Sequence, residues 1–258
     1  MTPARLAPRR RTVALAALAG VGLLATLQAA EKVVSTTVSA DVVTHYVWRG
    51  MVLTDDPVLQ PALTLSSHGF SLNVWGSVDL TDVNEDDGDS LHLQEIDYTA
   101  SYSASPVEGL DLTGGLTYYT FSGLDSTAEV FGTVAFSCLP LKPTLSGYYD
   151  VDEGEGWYLN AAVAHTFSLT EKLGLTLSGG VGWGDRKYHE FYFGGTSGSA
   201  VSDLLLKATL SYALSDSLSV AVYAGYATLL DHEVQDLGEE VYGESDTAFG
   251  GVSVSLSF

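Results

Sequence analysis

The chain has 258 residues, with 32 acidic and 11 basic side chains, a net charge of −21 and one cysteine. An acidic excess of this size argues against a nucleic-acid partner, because phosphates are bound by clustered Lys and Arg. The single cysteine, Cys138, excludes an internal disulfide framework. No segment after residue 30 has the uninterrupted run of about 18 apolar residues that a membrane-spanning helix needs.

The first thirty residues have the pattern of a secretory signal. A basic start is followed by an apolar run from Thr12 to Leu27 and then by Ala29 and Ala30. The basic start contains Arg5, Arg9, Arg10 and Arg11. We therefore expect residues 1–30 to be removed on export. The mature chain, residues 31–258, then has seven basic and 32 acidic residues, a net charge of −25.

Residues 31–258 repeat one unit, a strand of about ten residues followed alternately by a short turn and a longer polar loop. Alternating polarity indicates β-strands, because successive side chains of a strand point to opposite faces. The pattern predicts twelve strands, at Val34–Trp48, Val58–Ser66, Phe70–Leu80, Leu91–Ser103, Leu110–Phe121, Ala128–Cys138, Thr144–Asp150, Trp157–Ser168, Leu173–Trp183, Asp203–Ala213, Leu218–Leu229 and Asp246–Phe258. The predicted fold class is all-β: a closed antiparallel transmembrane β-barrel with short periplasmic turns and longer extracellular loops.

The last predicted strand shows the alternation most clearly. Val254, Leu256 and Phe258 lie on one face, and serines alternate with them. A terminal strand that ends on an aromatic residue resembles the closing strand of bacterial outer-membrane barrels, where these positions would be the signal for the barrel-assembly machinery. An edge strand of a soluble sandwich is the alternative for this strand alone. We expect the barrel to lie in the outer membrane, surrounded by lipid and lipopolysaccharide. Nothing in the sequence marks an oligomer interface.

The polar face of the strands is expected to line the interior. Its titratable residues are Asp41, His45, Arg49, Asp79, Glu95, Asp97, Asp111, Glu129, Asp150, Asp203 and Lys207. Eight acids against two bases predict a lumen that favours cations. The two bases are expected to pair with Asp41, Asp79 or Asp203, because an unpaired charge in a narrow interior is costly. A barrel of twelve strands predicts a narrow pore, which a loop could obstruct.

Two loops have an unusual composition. The acidic loop carries oxygen ligands of the kind that calcium prefers, at Asp82, Asn84, Asp86, Asp87 and Asp89. It lacks the glycine and the distal glutamate of a helical calcium-binding loop, so a solvated acidic loop is the favoured interpretation. The loop Arg186–Phe193 joins a basic pair to four aromatic residues. Packing of the loop is the favoured interpretation there, with an inward constriction or a ligand site as the alternative. No cofactor is expected.

The first hairpins carry a more particular pattern. Tyr46–Gly50, with the letters YVWRG, is followed by a Pro/Gln segment, a Gly-aromatic turn and a strand that contains tryptophan. The residues of this pattern are Tyr46, Trp48, Arg49, Gly50, Asp56, Pro57, Gln60, Gly69, Phe70, Trp75 and Gly76. Residues 38–79 thereby resemble the opening of the TorF-type porins, also called the Gcw_chp family. The resemblance implies an outer-membrane barrel with a pore for an undefined solute.

These patterns together predict a porin that admits small cationic or neutral solutes by passive diffusion. The alternative is a closed barrel with a structural, adhesive or scaffolding role, in which aromatic residues fill the lumen. The residues concerned are Trp75, Tyr119, Phe121, Phe131 and the aromatic loop. Catalysis is not expected, because no Gly-x-Ser-x-Gly, zinc or phosphate-loop motif is present and no histidine has a serine beside it on the lipid-facing side.

Overall fold

The computed structural model describes residues 34–81, 91–195 and 198–258. The strands are β1 Ser35–Val43, β2 Tyr46–Trp48, β3 Met51–Thr54, β4 Val58–Ser67, β5 Phe70–Asp79, β6 Leu93–Val107, β7 Leu110–Phe121, β8 Thr127–Phe136, β9 Thr144–Asp150, β10 Trp157–Ser168, β11 Leu173–Gly184, β12 Ala200–Ala213, β13 Leu218–Leu229 and β14 Asp246–Ser257. The helices are α1 Arg186–Phe193 and α2 His232–Tyr242. Neither helix of this part of the chain is long and apolar enough to cross a membrane. The predicted secretory signal and the candidate calcium ligands in residues 82–90 fall outside the described residues.

Twelve of the strands form one closed antiparallel barrel, while β2 and β3 form a separate two-stranded sheet. The barrel closes where β1 pairs with β14, with Val38 opposite Leu256. The Phe258 amide also donates to the Thr36 carbonyl at 2.8 Å. On its other side β1 pairs with β4, so no strand of the barrel has a free edge. The predicted twelve-stranded closed barrel is confirmed.

The alternation of side chains explains why the sheet closes with its apolar face outward. Val252 and Val254 of β14 are 51% and 45% exposed, and large apolar side chains are exposed on every strand of the barrel. The inward positions carry hydroxyls that bond across neighbouring strands. Such pairs are Thr37–Ser257 at 3.0 Å, Thr99–Thr117 at 3.0 Å and Thr166–Thr176 at 2.9 Å. An apolar exterior around a polar interior is the arrangement of a barrel that lies in lipid.

The two ends of the barrel differ. The turn end carries the start of β1, the end of β14 and the connections 68–69, 108–109, 137–143, 169–172 and 214–217. The loop end carries the longer connections 44–57, 80–92, 151–156, 185–199 and 230–245, together with the short connection 122–126. A two-residue turn with positive φ at both positions, such as His68 and Gly69 (50° and 85°), matches the twist of the strands that it joins. Nearly all of the irregular structure therefore lies at the loop end.

The structure corrects the predicted elements in three places. The first strand ends at Val43 instead of continuing to Trp48, and Tyr46–Trp48 forms β2 of the separate sheet. The connection predicted as a plain loop from Gly50 to Pro57 contains β3. The two longest loops contain α1 and α2. The period-two pattern continues past Val43 because β2 is itself a strand, although it no longer belongs to the barrel wall.

Because Val252 faces outward in the middle of β14, an arginine there should destabilise the barrel. We expect Val252→Arg to lower the free energy of unfolding in lipid vesicles by about 2–4 kcal/mol, as for basic residues at the lipid midplane. The matched control is Ser253→Arg, which faces inward and lies opposite Asp41. Urea titration followed by tryptophan fluorescence measures both. Equal losses for the two variants would contradict the assignment of the outer face to lipid.

Candidate functional site

The first connection of the loop end folds back into the barrel as a hairpin. β2 and β3 pair with Trp48 opposite Met51, and Arg49 and Gly50 form the turn between them. Both turn residues have positive φ, 49° and 81°, as in the tight turns that match strand twist. A Cβ on Gly50 would lie 2.6 Å from the Cβ of Asp203 on the barrel wall. The close approach of the hairpin tip to the wall therefore requires glycine at this position.

Arg49 connects the tip of the hairpin to the far wall of the barrel. Its Nη1 and Nη2 donate to Oε1 and Oε2 of Glu129 on β8, at 2.8 and 2.7 Å. The Tyr119 hydroxyl donates to the same carboxylate at 2.8 Å. The side chains of Arg49 and Glu129 are 8% and 2% exposed. A bidentate pair with an additional donor is the geometry in which a buried ion pair compensates for its desolvation.

Aromatic rings surround the same guanidinium. Its central carbon lies 4.2 Å from the ring centroid of Trp48, 4.2 Å from that of Tyr158 and 4.5 Å from that of Tyr148. Ring faces attract a cation, and the attraction increases where water is excluded. Trp48 comes from the hairpin, whereas both tyrosines come from the wall. The guanidinium of Arg49 thereby contacts rings from three separate strands, β2, β9 and β10.

Apolar packing fixes the rest of the hairpin. Met51 is fully buried and belongs to a cluster that includes Tyr158, Tyr188, Phe193, Leu229 and Val234. On the other strand Tyr46 packs against Trp75 of β5, with the ring centroids 5.4 Å apart. A core of this kind on the inner side of a barrel replaces water by side chains. The hairpin is therefore a packed plug and not a mobile loop.

Two helices at the loop end cover the hairpin. α1 begins at the N-cap Asp185, whose side chain accepts from the Tyr188 amide at 2.8 Å, and α2 begins at the N-cap Asp231. Each ends at a glycine with positive φ, Gly194 at 67° and Gly243 at 83°. The Tyr242 hydroxyl of α2 donates to the Tyr192 carbonyl of α1 at 2.5 Å. Burial between the helices raises the pKa of the Tyr242 phenol.

An ion pair links α1 to the neighbouring loop. Lys187 Nζ donates to Glu155 Oε2 at 2.7 Å, and this hydrogen bond and its charge lower the pKa of the Glu155 carboxyl. Arg186 pairs with Glu190 within the helix at 3.1 Å. The basic pair of the aromatic loop thus faces outward. Its aromatic residues Tyr188 and Phe193 face the hairpin core.

The hairpin divides the interior into two chambers. The inner chamber lies toward the turn end and has adjoining lobes of about 510 and 340 Å³. The outer chamber opens at the loop end and has a volume of about 650 Å³. Its lining consists of seven aromatic residues (Tyr46, Trp48, Tyr119, Phe121, Phe191, Tyr192 and Tyr242), three acids (Glu95, Asp125 and Glu153) and Leu53, His92, Gln94, Ser122 and Leu124. Tyr46, Trp48 and Tyr119 line both chambers and form the boundary between them.

The structure distributes the titratable residues expected in the lumen over several places. Asp41, His45, Asp97, Asp203 and Lys207 line the inner chamber, whereas Glu95 lines the outer one. Glu129 is engaged by Arg49. Asp79 is fully buried and accepts from the Gln94 side chain, and Asp150 accepts from Thr127 and from the backbone amides of 152 and 154. Asp111 lies at the turn end, where the Ser105 hydroxyl donates to it at 2.5 Å.

The expected partners of the two bases were wrong in part. Arg49 pairs with Glu129 and not with Asp41, Asp79 or Asp203, because the hairpin carries it away from the first strand and across the lumen. Lys207 forms no ion pair among the described residues; its ammonium lies 3.7 Å from the centroid of the Tyr223 ring. Asp203 instead accepts from the Tyr158 hydroxyl at 2.9 Å. The charge of Arg49 is therefore balanced by a single carboxylate.

The residues of the YVWRG pattern and its surroundings form the hairpin and its supports. Tyr46, Trp48, Arg49 and Gly50 build β2 and the tip of the hairpin. Trp75 packs on Tyr46, and Gln60 lines the inner chamber. Asp56 accepts from the Thr81 hydroxyl at 2.9 Å, and the Pro57 carbonyl accepts from the Leu80 amide at 3.1 Å. Gly69 and Phe70 belong to a turn at the opposite end of the barrel. A Cβ added to Gly76 would lie 3.2 Å from the Glu95 carbonyl oxygen. Met51, which sequence reasoning placed in a plain loop, is the most deeply buried hairpin residue.

No group of three or more His, Cys, Asp or Glu residues suited to a metal ion occurs in the described part of the chain. Asp41, Asp97 and Asp203, although all in the inner chamber, lie on three different strands. The described lumen therefore offers separated charges and aromatic rings. Such a lining can select a small ion by its charge or hold a polarisable cation against a ring.

Comparison with known proteins gives a family and a fold. A family model described as MltA-interacting protein MipA matches residues 20–236. Solved structures with the same fold include the NanC porin (TM-score 0.51, 10% identity, 86% of this chain and 98% of that chain) and the KdgM porin in complex with disordered oligogalacturonate (0.52, 12%, 87% and 99%). The COG4313 outer membrane channel from Pseudomonas putida F1 is similar to the same degree (0.51, 10%, 87% and 95%). No curated protein sequence matches. The comparisons do not confirm the name of the TorF-type porins.

If the ion pair holds the hairpin in the lumen, loss of Glu129 should release it. Glu129→Leu leaves a buried guanidinium without its carboxylate, which costs about 3–5 kcal/mol. We expect the Arg49–Gly50 bond, protected in the native barrel, to become sensitive to trypsin. Mass spectrometry of the fragments measures the cleavage, and heat-dependent gel mobility verifies that the barrel has folded.

The control for this cleavage is Asp41→Leu, which removes a lumen acid that does not contact Arg49. This variant should stay uncut at Arg49. A folded Glu129→Leu barrel that also resists cleavage there would show that packing alone holds the hairpin.

Proposed function

Since the chain belongs to the MipA family of outer-membrane barrel proteins, we propose that it acts as a narrow channel for small cations and small neutral solutes, restricted by the internal hairpin. The observation that carries this proposal is the contact between the two chambers. They share Tyr46, Trp48 and Tyr119 as lining residues, so a movement of these side chains would join the loop end to the turn end.

Carboxylates flank this boundary along one strand. Glu95 lines the outer chamber and Asp97 lines the inner chamber, and both belong to β6. Residues two apart on a strand face the same side, and the side chains of Glu95 and Asp97 are hydrogen-bonded to each other. One oxygen of Asp97 has no hydrogen-bond partner among the described residues. A cation that crosses the boundary would pass from one carboxylate to the next.

Charge selection follows from the same geometry. Arg49 is the only base at the boundary in the part of the chain that the structure describes, and Glu129 neutralises it. The hydrogen bond between Glu95 and Asp97 requires one shared proton, so the pair leaves one negative charge in a medium of low dielectric, which attracts cations and repels anions. The aromatic boundary limits the size of the solute.

The orientation follows from the two ends of the barrel. Short turns of such barrels face the periplasm and longer loops face outward, so both termini would be periplasmic. The apolar outer face would contact lipid and lipopolysaccharide. β14, with Val254, Leu256 and Phe258, would be the strand that the barrel-assembly machinery recognises. Export would depend on residues 1–30.

Conductance of the refolded barrel in a planar bilayer tests this proposal. Under a potassium chloride gradient we expect small, stepwise, cation-selective currents. Neutralising the boundary in Glu95→Gln/Asp97→Asn should shift the reversal potential toward zero, because the local negative charge is lost. The control Asp111→Asn removes an acid at the turn end, away from the boundary, and should keep the native selectivity. A folded barrel without current would contradict the channel.

A scaffolding role is the second candidate, and the packed hairpin favours it. A core that includes Met51, Tyr158 and Leu229 closes much of the loop half, as in a barrel that serves as a rigid platform. The family description names an MltA-interacting protein, so the partner to test is MltA. Biolayer interferometry of purified MltA against the barrel in nanodiscs measures this interaction. Saturable binding together with absent conductance would favour the scaffold, whereas conductance without binding would exclude it.

A further inference from the structure

The outer chamber has the size and lining of a binding site, and we propose that it binds a small organic cation, an amine or quaternary ammonium compound with an apolar body. Its volume of about 650 Å³ is within the usual range of ligand pockets. The inference rests on this chamber alone and holds whether or not the barrel conducts, because binding does not require passage.

The aromatic lining selects the class of ligand. Seven of the fifteen lining residues are aromatic. Rings arranged around a cavity bind cations that are large, polarisable and weakly hydrated, because the ring faces replace only a weak hydration shell. A compact metal ion is disfavoured here, since it would lose its water without gaining the oxygen ligands that it prefers. The described residues contain no group of three or more His, Cys, Asp or Glu side chains that could bind a metal ion.

The charge of the lining, like its aromatic rings, favours a cationic ligand. Glu95 is buried at the base of the chamber, whereas Asp125 and Glu153 lie exposed at its rim. No Lys or Arg lines the chamber among the described residues. The bases on α1 are engaged by Glu190 and Glu155, and Arg49, behind Trp48, is engaged by Glu129. Neither rim acid forms an ion pair with any described residue, and Glu95 is hydrogen-bonded only to Tyr46 and Asp97 among the described residues, so the lining has a net negative charge.

The barrel already holds one cation in this way. The guanidinium of Arg49 lies 4.2 Å from the centroid of the Trp48 ring on the inner side of the boundary. Trp48 and Tyr192 both line the outer chamber, and their ring centroids are 5.1 Å apart. A ring that lines the outer chamber thus already binds a cation on the inner side of the boundary.

Calorimetric titration of the mature barrel in detergent micelles tests the inference, with three ligands that share one ring and differ in charge. They are benzyltrimethylammonium, benzyl alcohol and benzenesulfonate, each titrated in the same buffer. We expect saturable 1:1 binding of the ammonium compound, at least tenfold weaker binding of the alcohol and none of the sulfonate. Absence of saturable binding by the ammonium compound, or equal binding of the alcohol, would overturn the proposal.

Variants locate the bound cation. Tyr192→Leu and Glu95→Gln should each lower the affinity for the ammonium compound by roughly 3- to 30-fold, because each substitution removes one group that interacts with its charge. Phe191→Leu changes a lining residue that is 43% exposed, so it tests the site with little risk to folding. The matched control is Tyr212→Leu on the outer surface, which should bind like the native barrel. Unchanged affinity in all three chamber variants would place the ligand elsewhere and overturn the assignment.

Discussion

A charge buried inside the barrel organises the loop half of this protein. The guanidinium of Arg49 can lie within the lumen only because the carboxylate of Glu129 and the rings of Trp48, Tyr148 and Tyr158 replace its water. Removal of one partner from such a pair is far more costly than the net stabilisation that the pair supplies. The ion pair therefore specifies where the hairpin lies more than it strengthens the barrel, whose stability comes from the closed ladder of strands and from the apolar outer face.

The position of the hairpin determines what the interior can do. A hairpin that crosses the lumen separates an inner chamber, lined by carboxylates, amides, hydroxyls and aromatic rings, from an outer chamber in which seven of fifteen lining residues are aromatic. Trp48 and Tyr119 of the boundary are also part of the Arg49 site, since the guanidinium lies against the Trp48 ring and the Tyr119 hydroxyl donates to Glu129. The proposed permeation and the proposed ligand binding at the loop end would thus both depend on one ion pair. A change that loosens the pair should alter both.

The sequence predicts the barrel well because its signal is local. Period-two alternation, as in Val252, Ser253 and Val254, specifies the outer face strand by strand, and closure follows because lipid leaves the polar groups of an open sheet edge without partners. The hairpin could not be predicted in the same way: β2 continues the alternation of β1, so periodicity cannot show that the chain leaves the wall after Val43. The two helices have a recognisable signal, an aspartate N-cap and a terminal glycine around residues 185–194 and 231–243, which a period-two pattern does not reveal. The Arg49–Glu129 pair joins residues 80 apart in sequence, and no local pattern specifies which of eight lumen acids the arginine reaches.

The central claim is that the hairpin is a fixed part of the native lumen, and hydrogen–deuterium exchange of the barrel in nanodiscs tests it most directly. Peptic peptides that cover residues 44–57 are compared with peptides from the wall strands and from the exposed connection 122–126. We expect slow exchange in the hairpin of the native barrel, close to that of the wall, and rapid exchange in Arg49→Met, because local opening then no longer breaks the ion pair. Rapid exchange of residues 44–57 in the native barrel, equal to that of residues 122–126, would contradict it.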